Sequence, residues 1–173
     1  MVSKKNNIVL IGMPGCGKST LGKSLAEEFK FKFYDMDEYI QKISKKTIPE
    51  LFEESESIFR KWEWKACEEL SKKDKAVISS GGGVVKIKRN IDILKKDCII
   101  LFIDRAVEDI IKDVDINKRP LLKDGANKLY ELHNERYTLY NEAADIMVEN
   151  VGNLDEVLNK CKEKIAKSLG IKL

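Results

Sequence analysis

The chain has 173 residues, enough for one domain with a sizeable core and short for two. Its 32 basic and 29 acidic residues leave a formal net charge of +3 and are mixed along the sequence, the pattern of a solvated surface and not of a nucleic-acid platform. No apolar run approaches the ~20 residues of a membrane span, the polar N-terminus has no secretory core, and four scattered cysteines form no C-x-x-C pair. A soluble, cytoplasmic protein with reduced thiols and no membrane or nucleic-acid partner is therefore expected; a monomer is the default expectation, which these features do not decide.

In chain order, the apolar run Ile8–Ile11 reads as a strand and feeds Gly12-Met13-Pro14-Gly15-Cys16-Gly17-Lys18-Ser19-Thr20, which fits G-x-x-x-x-G-K-[ST]. Glycines there let successive backbone N–H groups turn toward a polyphosphate, Lys18 brings an ammonium to the β/γ oxygens, and the Ser19 hydroxyl is a Mg²⁺ ligand candidate. Leu21, Leu25 and Ala26 follow at helical spacing, which sets the anion on a helix N-terminus. A nucleoside triphosphate is the implied ligand, with Gly15, Cys16, Gly17, Lys18, Ser19 and Thr20 around it. In this loop Cys16 is expected to be open to alkylation when the site is empty.

A second strand, Phe31–Tyr34, leads to Asp35-Met36-Asp37, two carboxylates that an extended segment would direct to one side. Beside a phosphate loop they suit metal support and proton abstraction from an acceptor hydroxyl; alone they would read as a turn or helix cap. Thr47-Ile48-Pro49-Glu50 marks a helix start. Arg60 and Glu63 lie three apart on a later helix, as a built site or as a surface ion pair. Ala76–Ser79 is the third strand, and Ser80-Gly81-Gly82-Gly83 after it suits close approach of backbone to a ligand, or a flexible turn. Cys98–Ile103, apolar on both faces, is a buried parallel strand, and Asp145–Val148 is the fifth. Alternation of strands and helices implies an α/β fold with about five parallel strands.

Between the last two strands, Lys112–Gly125 is polar and weakly periodic, a candidate lid carrying Arg119-Pro120-Leu121-Leu122. A helix over Asn127–Ala144 buries Leu129, Leu132, Leu139 or Tyr140, and Ala143 in one stripe, and Arg136 falls inside that stripe, where a cation needs an anion. Only five of the 32 basic residues are Arg: Arg60, Arg89, Arg105, Arg119 and Arg136. Lysine serves for generic charge, so an Arg marks a place where a planar fork is needed. Asn153-Leu154-Asp155-Glu156 starts a final helix with Leu154, Val157, Leu158, Cys161, Ile165 and Leu169 on its apolar face.

Together these motifs resemble the shikimate kinases, from the first strand to about Asp145. The resemblance implies a three-layer fold like that of nucleoside monophosphate kinases, in a single domain over residues 1–173 with an acceptor-binding region at about 35–63 and a lid at about 112–125. It also implies ATP and shikimate as substrates, with Mg²⁺. By the same resemblance Asp37 binds the ring hydroxyls and is the base, and Asp35 supports Mg²⁺ with Ser19. Arg60, Arg136 and the Gly82 backbone between Gly81 and Gly83 hold the shikimate carboxylate, and Arg119 meets the ATP phosphates. Three departures stand out. Ser55-Glu56 replaces a usual Gly-Glu, Tyr137 stands where Pro often follows the second carboxylate-binding Arg, and Lys112 stands where an adenine-packing Arg is frequent. A kinase for another small hydroxy acid, such as gluconate, is the rival within the same chemistry, and a non-catalytic nucleotide-binding module is the rival outside it.

Overall fold

The computed structural model describes residues 5–113 and 125–170. Five strands form one sheet in the order β2-β3-β1-β4-β5, every neighbouring pair parallel. They are β1 (Asn7–Ile11), β2 (Lys32–Asp35), β3 (Ala76–Ser79), β4 (Cys98–Asp104) and β5 (Ile146–Glu149). β1, β3 and the apolar part of β4 are buried on both faces, which is why their sequences run apolar instead of alternating. The helices are α1 (Lys18–Phe29), α2 (Met36–Ser44), α3 (Ile48–Glu54), α4 (Glu56–Ser71), α5 (Lys88–Asp97), α6 (Val107–Asp113), α7 (Ala126–Ala143) and α8 (Leu154–Leu169). All five expected strands are present within a residue or two of their expected bounds.

Two of the expected helix starts carry full capping boxes. Thr47 and Glu50 exchange side-chain and backbone bonds at α3, and Asn153 and Glu156 do so at α8. Val157, Cys161 and Ile165 of α8 are buried, but Leu154 is 44% exposed. It is the first residue of the helix, at the rim, before the stripe turns onto the core. Buried Asn7 ties the start of β1 to the end of α4. Its amide donates to the Ser71 carbonyl at 2.9 Å and its oxygen accepts from Ala76 N–H at 2.9 Å, so a polar core residue is satisfied on both sides.

The strand order has one consequence for binding. The chain moves from β1 outward to β2 and back to β3 on one side, then crosses to β4 and β5 on the other. β1 therefore ends at the switch point, where the two connections diverge and leave a crevice at the carboxyl ends of the strands. Everything the sequence marked as chemical, apart from the lid segment, follows a strand end or lies on a helix beside that crevice. Among the described residues no helix is long and apolar enough to cross a membrane.

Candidate active site

A cleft of about 570 Å³ opens over the ends of β1, β2 and β3, lined by Pro14, Gly15, Lys18, Ser19, Asp35, Asp37 and Gly82 among others. Its floor is the loop Gly12–Gly17. Gly12, Gly15 and Gly17 have φ of +147°, +80° and +103°, a region that side chains avoid. At Gly12 a Cβ would also lie 2.6 Å from the Ile103 carbonyl oxygen, so neither shape nor space admits another residue. The loop ends in α1, whose N-cap Gly17 offers no side-chain acceptor. α2, α3, α4 and α8, in contrast, are capped by Asp35, Thr47, Ser55 and Asn153. The first N–H groups of α1 are thus left for an anion, at the positive end of the helix dipole.

Lys18 is 8% exposed, and its ammonium donates to the carbonyls of Gly12 at 2.9 Å and Met13 at 2.8 Å. Those bonds hold the charge inside the curve of the loop. Cys16 corrects the sequence-based expectation of a reactive thiol, because the loop wraps around it and it is fully buried. Its Sγ faces the Lys18 ammonium at 3.7 Å, and Asn150 Nδ2 pins its carbonyl at 2.8 Å.

The sheet register sets Asp35 opposite Ser79, and β1 brings Ser19 to both. Ser19 Oγ lies 3.2 Å from Asp35 Oδ2 and 3.1 Å from Ser79 Oγ. The other Asp35 oxygen accepts from Asp37 N–H at 3.0 Å and Glu38 N–H at 3.2 Å, capping α2. The two readings of Asp35 are therefore compatible: one oxygen caps a helix while the second faces the phosphate loop. A different correction concerns Asp37. It does not share a strand face with Asp35, because the cap starts the helix at Met36 and Asp37 lies in its first turn. Both carboxylates still line one cleft. Asp37 is open to that cleft yet surrounded by protein, and burial, followed by the charge of Asp35, raises its pKa above the ordinary carboxylate value. Lys18 and Arg60 pull the other way.

Across from the loop, Arg60 is gripped by carboxylates. Nη1 donates to both oxygens of Glu63 at 3.0 and 2.9 Å and to the Gly83 carbonyl at 3.2 Å, and Nη2 reaches Glu56 at 3.1 Å. Glu63 is 1% exposed, so this is no surface ion pair. Burial raises the Glu63 pKa against the pull of Arg60, and Asn90 Nδ2 supplies a further bond at 3.1 Å.

Gly81–Gly83 is an ordered turn fitted between neighbours, and none of the three has a positive φ. A Cβ on Gly82 would lie 2.9 Å from Pro14 Cδ, one on Gly83 2.7 Å from Arg60 Nη2, and one on Gly81 3.3 Å from Asp37 Oδ1. Close approach explains the three glycines, and a flexible turn does not.

Arg136 lies on the inward stripe of α7 with Leu129, Leu132 and Tyr140, its side chain 11% exposed. Tyr140 donates to the Gly82 carbonyl at 2.5 Å; burial pushes its phenol well up while Arg136 beside it pulls it down. Arg136 Nε is buried without a hydrogen-bond partner, and the Glu135 carboxylate is 3.8 Å away.

Lys112 stands outside the cleft lining, paired on the surface of α6 with Asp109 at 3.1 Å. Arg119 and most of the expected lid lie outside the described residues. Two residues that touch the phosphate loop carried no role in the sequence reading. Arg105, which lines the cleft just after β4, could have been found by its rarity; Asn150, which supports the loop from outside the cleft lining, had no such signal, since only the fold brings it to Cys16.

With this geometry in place, the comparisons are decisive. The family model described as shikimate kinase matches residues 14–166. The chain belongs to the shikimate kinase family. It is 54% identical to the shikimate kinase of Clostridium beijerinckii over 95% of this chain and 98% of that protein. A shikimate kinase of Clostridium botulinum is 50% identical over 93% and 98%. Among solved structures, the shikimate kinase from Acinetobacter baumannii in complex with shikimate superposes with a TM-score of 0.87 at 33% identity, over 94% of each chain. A gluconokinase from Sinorhizobium meliloti matches with a TM-score of 0.58 at 16% identity, a likeness of fold alone. Like other shikimate kinases the chain is a phosphotransferase that uses ATP.

Proposed function

We propose that this chain transfers the γ-phosphoryl group of ATP to shikimate, giving 3-phosphoshikimate for aromatic amino acid biosynthesis, with each cleft residue in a separate role. The observation that carries the reading is one cleft with two unlike walls. A phosphate loop with an uncapped helix forms one; Asp37, Gly81 and Gly82 form the other, with the Arg60–Glu63 pair held against the same turn at Gly83.

Lys18 follows the transferring phosphoryl group, and the backbone of Gly15, Cys16 and Gly17 with the Thr20 side of α1 cradles the remaining phosphates. Asp37 accepts the proton of the acceptor hydroxyl. Burial, which raises its pKa, makes its carboxylate a stronger base than an ordinary one. Arg60, already oriented by Glu63, meets the shikimate carboxylate together with Arg136 and the Gly82 backbone. Arg119 is assigned to the nucleotide phosphates by the sequence pattern alone. The oxygens of Ser19, Asp35 and Ser79 are hard donors of the kind Mg²⁺ prefers, and no carboxylate cage is needed because that ion keeps much of its water. Bound there with the nucleotide, Mg²⁺ would neutralise phosphate charge.

A coupled ADP-release assay of the purified protein with shikimate, quinate, gluconate and nucleoside monophosphates tests the reading. Turnover with shikimate well above the others is expected. Release with gluconate or a nucleotide acceptor, but not with shikimate, would overturn it.

A further inference from the structure

Arg105 is the one arginine lining the cleft to which neither the phosphate-loop pattern nor the acceptor wall gives a task among the described residues. It follows β4, the strand beside β1, on the side of the sheet away from Asp37 and the acceptor wall. Its guanidinium spans two elements. Nη1 approaches the Gly15 carbonyl of the phosphate loop at 3.4 Å, and Nη2 pairs with Asp113 at the end of α6. Its Nε is buried with no hydrogen-bond partner.

These contacts hold the guanidinium weakly. The Gly15 contact is long, and the Asp113 carboxylate is 60% exposed, so water screens that pair and leaves it weak. A polyphosphate on the loop carries more charge, and its oxygens match the planar fork that a lysine could not supply. We propose that Arg105 is a nucleotide-phosphate ligand of this chain, parked on Asp113 and released to the phosphates when nucleotide enters. The inference rests on the nucleotide site of the reading above and is independent of which acceptor is used.

The test is calorimetric titration of the full-length protein with MgADP, beside shikimate titration and a melting curve, for Arg105→Gln, Arg105→Lys and Asp113→Asn. Loss of the fork in Arg105→Gln should weaken MgADP by about 10- to 100-fold, the scale of a charged hydrogen bond, with Lys restoring only part. Shikimate affinity should hold. Asp113→Asn removes the competing carboxylate, so MgADP should bind a few-fold tighter, a sign that no bracing role gives. The inference is overturned if Arg105→Gln binds MgADP like the wild type. It is equally overturned if MgADP and shikimate affinity fall together with the melting point, which would make Arg105 a brace for Gly15. Failure of the wild type to phosphorylate shikimate would sink the acceptor assignment and leave this test standing.

Discussion

On the nucleotide side of the cleft the binding groups come from one stretch, Gly12–Thr20, and most of them are backbone N–H groups. On the proposed acceptor side they are Asp37, Arg60 and Arg136, side chains from α2, α4 and α7, with the turn after β3 between them. The first wall is specified by what glycine permits, the second by how buried charges are paired. Consequently the first can be read from a short string, whereas the second exists only once the sheet has formed. The walls should also fail differently. Damage to the loop should remove catalysis and leave the acceptor bound, while damage to the opposite wall should show in acceptor affinity or in stability.

Asp37→Asn gives the largest expected break, because it removes the proposed base without changing shape. Turnover should fall by roughly 10²–10⁴-fold, the usual scale of general base catalysis. Its companion effect is on stability. A carboxyl whose folded pKa is raised binds its proton more tightly in the native state than in the unfolded chain, so native stability falls as pH rises through that interval. Above that interval the cost is fully present. The Asn variant should therefore melt at a higher temperature than the wild type at pH 7, with the difference vanishing in acid. Melting curves from pH 4 to 8 check this; a lower melting point at pH 7 would show that attraction to Lys18 and Arg60 outweighs burial. In the wild type the acid limb of the rate profile should lie above that of an ordinary carboxylate.

Lys18→Met tests the loop alone. Removal of one preorganised charge from the transition state typically costs about 10²–10³-fold in rate, and shikimate titration should be unchanged. A parallel loss of shikimate affinity would mean that the two walls are not separable.

The two arginines of the acceptor wall sharpen the contrast within it. Arg60 has Glu63, Glu56 and the Gly83 carbonyl, whereas Arg136 has a buried unbonded Nε, the Tyr140 hydroxyl beside it and Glu135 at 3.8 Å. Arg60→Lys should thus lower both the melting point and shikimate affinity, since it leaves buried Glu63 poorly matched. Arg136→Lys should lower shikimate affinity by about 1–3 kcal/mol with little change in melting point, as it has few native partners to lose. If Arg136→Lys instead melts early and binds shikimate normally, the residue is structural.

The sequence made the sheet legible because buried parallel strands are short apolar runs, and the loop legible because its chemistry is contiguous. The arginine fork at position 60 was legible through its spacing to Glu63. Three features could not be read. Helix α6 is a seven-residue helix, too short for periodicity to mark it. The helical setting of Asp37 was hidden because the same Asp35 that suits a metal site also suits a cap, and only the register with Ser79 shows it doing both. The burial of Cys16 escaped because a loop wrapped around its own side chain leaves no trace in composition.

Gly82 and Gly83 offer the smallest and finest test, since they touch different walls. A Cβ at Gly82 would press on the Pro14 ring of the phosphate loop at 2.9 Å, and a proline ring cannot step aside. A Cβ at Gly83 would press on the end of the Arg60 side chain at 2.7 Å, which can swing. Gly82→Ala should then carry a cost near the lower end of the ~1–3 kcal/mol typical of overpacking, and should weaken MgADP and shikimate together because it moves the seam between the walls. Gly83→Ala should weaken shikimate alone, and by less, because the guanidinium gives way while Glu63 still holds it. Paired titrations with MgADP and shikimate decide the matter. Equal losses of both ligands in the Gly83 variant would mean that the turn moves as one body and that the two walls share their support.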